Sequence, residues 1–168
     1  MNNHTPDTIE IQLPHGYVTV IDVEDADLAQ LYWGVMLARN RPYARRVRRD
    51  GGKQHNVWLH RLVLERIIGR SLSDGEVPDH VDNDPLNNTR ANLRVATPAQ
   101  NSWNQGKSPT NKSGFKGVSW DKTAGKWQVH ICANNIRYSL GVYPTPEAGY
   151  EAYCEAAKRL HGKFSRLD

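Results

Sequence analysis

Between Val77 and Asn104 the chain reads VPDHVDNDPLNNTRANLRVATPAQNSWN. The only histidine of this stretch, His80, follows Asp79 directly, and asparagines crowd the rest. Asparagine suits turns, because its side chain mimics backbone and tolerates left-handed conformations. It also offers a neutral hard oxygen to a hard cation. Read as strand, loop, strand and helix, the stretch puts Asp79 on the first strand and Asn101 on the first turns of the helix. Compact packing brings these two together as oxygen ligands, with His80 beside them. Such a pair suits Mg²⁺ or Mn²⁺ rather than zinc, which prefers nitrogen and sulfur. Magnesium keeps several waters and takes further ligands from substrate phosphate, and a helix N-terminus favours an anion. The set is suited to hydrolysing a phosphodiester. His80 activates water as general base, an effect of about 10²–10⁴-fold, while a bound metal stabilises the charged transition state. An Asp-His pair in a polar loop, taken alone, is otherwise ordinary surface.

The elements that must position these groups follow from local pattern. Pro78 keeps Val77 extended, VDNDPLNNTRA is a loop of turn formers, and NLRVA has strand character. Thr97 and Pro98 mark a helix start. Upstream, IEIQLPHGYVTVI alternates apolar and polar residues around a Pro-His-Gly turn and predicts two short strands. DVEDADLAQLYW predicts a short helix. YARRVRR, DGGK and HNVWLH predict a hairpin, and HRLVLERIIG a helix stopped by Gly69. Downstream, GKSPTNKSG reads as a polar linker. Three strand candidates follow, FKGVSWD, KWQVHICA and IRYSLGVY. Last comes a helix to Gly162 with Ala148, Ala152, Ala156 and Leu160 on its apolar face.

A chain of 168 residues is one domain or two small ones. Two cysteines far apart, Cys132 and Cys154, argue against a disulfide framework and a cysteine zinc site. No apolar run is long enough to span a bilayer, and MNNHTPDTIEIQLP lacks the pattern of an export signal. The expectation is a soluble, cytoplasmic protein without a membrane partner. Net charge is +4, and its distribution is uneven. Residues 109–168 carry nine Lys/Arg against five Asp/Glu, and Arg39–Arg61 carries eight against Asp50 alone. Two such concentrations fit a polyanion partner, or a solvated basic surface.

PDHVDNDPLNNTRANLRVATPAQNSWN resembles the ββα-metal core of HNH endonucleases, in the phage and intron-encoded branch, and YARRV and VWLHRLVL upstream extend the resemblance. It implies Asp79 as metal ligand, His80 as general base, Asn92 as the residue that braces the loop and the base, and Asn101 as the final metal ligand. Many relatives have histidine at that last position; asparagine leaves the site without a nitrogen ligand, in line with Mg²⁺ or Mn²⁺. His60 recurs in this branch, as a phosphate contact or as a structural histidine where strand meets helix. Arg94 approaches phosphate, or pairs with Asp82 or Asp84. Asn87, Asn88 and Asn104 read as turn and helix-surface residues.

Residues 113–168 resemble the plant ethylene-response-factor (Apetala-type) DNA-binding domain, through GV at 117–118, Trp127, Val129 and Ile131, LG and Tyr143, AY at 152–153, and AA with HG at 156–162. Trp127, Val129, Ile131, Tyr138 and Leu140 are expected to face the helix. Lys126, Gln128, His130, Arg137 and Ser139, with Lys116, are expected on the opposite, DNA-facing side. Ser119, Cys132 and Ser139 stand where the plant domains have larger groups. About four to six phosphate contacts are expected, with salt-sensitive, weakly specific binding.

These readings combine into an α+β chain. Residues 1–72 form a β-rich extension carrying the DNA contacts Arg45, Arg46 and Arg48; 73–105 form the HNH core; 106–113 a linker; and 114–168 a three-stranded antiparallel sheet packed on one helix. The implied activity is metal-dependent cleavage of double-stranded DNA by a phage-encoded protein, acting as a monomer. The rival is a non-cleaving DNA-binding protein or regulator with a relic HNH core.

Overall fold

The computed structural model describes residues 7–167. The reading of the N-terminal segment as lacking an export signal falls in part on residues 1–6, outside the described residues. No helix among the described residues is long and apolar enough to cross a membrane. The fold is α+β, with four small antiparallel sheets among the described residues, in two compact units, Met1–Thr97 and Pro98–Asp168.

In the first unit, β1 (Thr8–Gln12) and β2 (Val18–Asp22) pair with Ile11 opposite Thr19. The Pro-His-Gly turn joins them, with His15 and Gly16 at positive φ. Both strands are those the alternation predicts. A short helix, α1 (Ala26–Ala29), turns Leu28 into the core. A meander of β3 (Gly34–Ala38), β4 (Arg41–Asp50) and β5 (Lys53–Trp58) follows. Gly51 and Gly52, at φ 53° and 79°, close the expected hairpin. Strand β3 is not expected from the sequence, because its turn uses Arg39 and Asn40 at positive φ instead of a glycine signal. Helix α2 (Leu59–Ile68) buries Leu59, Val63 and Leu64 and stops at left-handed Gly69. Strands β6 (Val77–His80) and β7 (Leu93–Ala96) pair with Asp79 opposite Arg94 and His80 opposite Leu93. Ile11, Ile21, Trp33, Ala44, Val63 and Leu93 share one core beneath these elements. Asp25 is fully buried, and its charge is met by Arg66 at 3.1 Å and Arg90 at 2.8 Å. That network ties the start of α1 to α2 and to the loop before β7, because a buried carboxylate needs such partners.

In the second unit, α3 (Pro98–Trp103) precedes a sheet of β8 (Val118–Asp121), β9 (Lys126–Ala133) and β10 (Ile136–Tyr143), with β9 central. Helix α4 (Pro146–His161) packs on the sheet, and Thr145 caps it by accepting the Ala148 amide. Its buried face is Gly149, Tyr153, Ala156 and Ala157. That corrects the expected alanine stripe, in which Ala148 and Ala152 are only half-buried. Tyr153 takes the place because Gly117 lies under its ring, where a Cβ would meet the ring at 2.3 Å. Tyr138 keeps the expected facing, opposite the buried Ile131, but on the edge strand it is still 37% exposed. A bulge between Ser139 and Gly141 inserts Leu140 and changes the facing of the strand, so Tyr143, opposite Trp127, joins the core. Alternation alone does not reveal such an insertion.

The segment 106–114 is not the contact-poor linker expected from composition. Ser113 Oγ lies 2.9 Å from the Phe115 carbonyl and 2.8 Å from the Val118 carbonyl, either of which can take its proton, Asn111 Nδ2 donates to the Phe115 carbonyl, and Lys107 Nζ to that of Gly114. Helix α3 is held within this unit: the Trp103 ring stacks on His161 at 4.4 Å and 9°, and Lys116 Nζ donates to the Trp103 and Gln105 carbonyls at 2.6 Å.

Candidate active site and nucleic-acid interface

Asp79 and His80 end β6, where the strand dives under the loop, and both are buried, at 2% and 7% exposure. Across the β6–β7 pair, Arg94 Nε donates to Asp79 Oδ2 at 2.6 Å. The carboxylate that Arg94 pairs with is thus Asp79, rather than Asp82 or Asp84. Asn101 lies on α3, in the second unit.

The loop from Val81 to Asn92 is built by its own side chains. Asn92 Nδ2 donates to Asp82 Oδ1 (2.9 Å) and to the Asn87 carbonyl (2.7 Å), and its Oδ1 accepts the Asp82 amide (3.0 Å). Asp82 also accepts from Asn87 Nδ2 and from the Asp84 amide. These bonds hold the Asp82 carboxyl below its usual range despite partial burial. Asn92 therefore braces the loop. The residue that holds the His80 ring is a different one: His80 Nε2 meets Asn88 Oδ1 at 3.2 Å. Asn88 is fully buried, which corrects its reading as a turn or surface residue. Asn104 is buried too, at 4% exposure.

Burial lowers the His80 pKa below the ordinary imidazole value, against the opposing pull of Asn88, Asp82 and Asp79. A neutral imidazole at pH 7 is the form that accepts a proton. His60, on the first turn of α2, lies 5.4 Å from the His80 ring and 5.5 Å from Tyr43, and stacks on Trp58 at 6.0 Å. Burial, with the nearby His80 and Arg61 charges, holds its pKa at about 3, so it brings no positive charge to a phosphate. These four rings join β4, β5, α2 and β6 on one side of the first unit.

The arginines of the β4–β5 hairpin divide between its faces. Arg45 lies opposite Trp58, on the face with Tyr43, and donates to Asn56 Oδ1 at 3.1 Å. Arg46, opposite Val57, and Arg48, opposite His55, lie on the other face. In the second unit, Lys126, Gln128 and His130 alternate with the buried Val129 and Ile131, and Ser139 and Arg137 lie opposite His130 and Cys132. These five share one face of the sheet. Lys116 does not join them, since its ammonium closes the end of α3.

Among the described residues, no cluster of three or more His, Cys, Asp or Glu is spaced to hold a metal. The donors that the sequence nominates are a carboxylate and an amide oxygen, with no thiolate. That is the donor chemistry of a hard cation that retains water.

Comparison with known proteins bears on both halves. Residues 57–103 match the HNH endonuclease family, and residues 113–163 match the AP2 domain. A protein of Acanthamoeba polyphaga mimivirus named "Uncharacterized HNH endonuclease L560" is 34% identical over 109 residues, 65% of this chain. The match spans 56% of that protein's own length. "Protein 3.8" of Escherichia phage T7 is 34% identical over 108 residues, which are 64% of this chain and 88% of the phage protein. No solved structure matches. The matched segments coincide with the Asp79–His80 loop and with the β8–β10 sheet and α4: the chain belongs to the HNH endonuclease family and carries an AP2 domain behind its HNH segment.

Proposed function

We propose that the protein is a metal-dependent DNA endonuclease that hydrolyses a phosphodiester bond with His80 as general base. The observation that carries this reading is His80 itself, buried, lowered in pKa and held by a side-chain hydrogen bond at the end of β6. His80 takes the proton of the attacking water. Asn92 keeps the loop closed around it.

Asp79 and Asn101 are the oxygen donors for Mg²⁺ or Mn²⁺; their assignment to one ion rests on the family pattern. The ion, when bound, stabilises charge on the phosphate and on the leaving oxygen. Arg45, Arg46 and Arg48 on the hairpin, and Lys126, Gln128, His130, Arg137 and Ser139 on the AP2 sheet, hold double-stranded DNA. Arg94 serves Asp79 before it serves phosphate. The working division is a β-rich extension to residue 72, the nuclease segment 73–105, and a DNA-docking domain from 114, in a monomer acting in the cytoplasm of a phage-infected host.

A metal series tests the ligands. Mg²⁺ and Mn²⁺ should support nicking of plasmid DNA, and Zn²⁺ poorly. Asp79→Ala and Asn101→Ala should each raise the Mg²⁺ concentration needed for half-maximal rate, by about 10- to 100-fold. Unchanged Mg²⁺ dependence in both variants would remove these residues from the metal site.

A further inference from the structure

Two hydrogen bonds connect His80 through Asn88 to Thr19 of the N-terminal hairpin, and a third, from Thr19 to the Leu86 carbonyl, orders their donors and acceptors. The Leu86 carbonyl can only accept. Thr19 Oγ donates its one proton there, at 2.7 Å, so the same oxygen accepts from Asn88 at 2.7 Å. The Asn88 atom facing Thr19 is then Nδ2, which also lies 3.4 Å from the Pro85 and Leu86 carbonyls. That leaves Oδ1 toward His80 Nε2 at 3.2 Å. An amide oxygen accepts, so the ring must donate from Nε2, and its lone pair is on Nδ1. Thr19 and Asn88 are both fully buried, so water does not compete for these bonds. The backbone fixes the same junction: Val20 N donates to the Leu86 carbonyl at 2.9 Å, and Asn88 N to the Val20 carbonyl at 2.8 Å.

We propose that Thr19 and Asn88 are positioning residues which set the tautomer of His80, with the proton on Nε2 and the base on Nδ1. Thr19 lies outside the segment that matches the HNH endonuclease family, residues 57–103. The β1–β2 hairpin is thus part of the catalytic apparatus rather than a separable extension. Thr19 occupies a core-facing position of β2, between half-buried Val18 and Val20, where an apolar residue would pack equally well. Its hydroxyl is explained by the relay. This inference rests on His80 being the general base.

The test uses the full-length chain with ¹⁵N-labelled histidine. Long-range ¹H–¹⁵N spectra at mildly alkaline pH report which nitrogen of the neutral His80 ring is protonated. The parent should show the Nε2–H form. Thr19→Val keeps shape but removes the 2.7 Å acceptor and leaves only the two long 3.4 Å carbonyl contacts to hold the Asn88 amide, so a reversed population can form. The Nδ1–H form should then appear, and the single-turnover nicking rate at saturating protein should fall about 10- to 100-fold, with DNA affinity unchanged. Thr19→Ser should restore both the tautomer and the rate. A parent ring protonated at Nδ1 overturns the proposal without any variant, as does a Thr19→Val protein that keeps both the parental tautomer and the parental rate. If the tautomers behave as expected but even the parent fails to cut DNA with any metal, the relay stands and the nuclease reading fails.

Discussion

His80→Ala should lower the rate of DNA cleavage in Mg²⁺ by about 10²–10⁴-fold, the range lost with a general base, while DNA affinity stays within about twofold. The two quantities should separate because His80 is buried and its proposed role is on water rather than on DNA. The arginines of β4 and the outer face of the AP2 sheet supply the proposed DNA contacts. The ring lies among Tyr43, His60 and Asn88, so truncation leaves Asn88 Oδ1 without its donor. That loss costs about 1–3 kcal/mol of stability. The rate must therefore be measured well below the melting temperature of the variant. Single-turnover cleavage with saturating protein, alongside binding at equal salt, gives both numbers. A variant that cuts at the parental rate would reassign the base.

Ending the chain after residue 108 should have the second large effect, in two parts. It removes the sheet with Lys126, Gln128 and Arg137, and a net charge of +4. Affinity should drop, and the dependence of log K on log salt should become shallower by about 0.9 for each phosphate that the shortened protein no longer neutralises. Composition alone predicts a truncated chain that keeps its nuclease core, because 106–114 reads as linker. The structure changes that expectation. Trp103 is deprived of His161, the carbonyls at the end of α3 are deprived of Lys116, and the helix bearing Asn101 is left without these supports. Cleavage should therefore fall further than affinity does. If high protein concentration fully restores the rate, α3 holds without the AP2 domain.

The elements written in periodicity and turn chemistry were legible in the sequence: the Gly51–Gly52 hairpin, α2 with its Gly69 stop, the β6 and β7 pair, and the AP2 strands. What escaped was decided by tertiary context. Strand β3 escaped because Arg39 and Asn40 are unusual residues for its turn. The facing of Tyr143 is not legible because a bulge at Leu140 carries no alternation signal. At the site, residue type and order point to Asp79, His80 and Asn101, and the family resemblance adds Asn92. Asn88 does not stand out in the sequence, since one asparagine among many in a loop looks like a turn former until its burial is known. Thr19 sits 61 positions before His80 on a strand, and only the fold brings it into play.

Nuclease chemistry at His80 is tested most directly by incubating the full-length protein with supercoiled plasmid in Mg²⁺, with and without excess chelator. Open-circular DNA in Mg²⁺, absent with chelator, is the expected result. Intact supercoiled plasmid in both Mg²⁺ and Mn²⁺, from protein that demonstrably binds the DNA, would contradict it and leave a DNA-binding protein with an inactive HNH core.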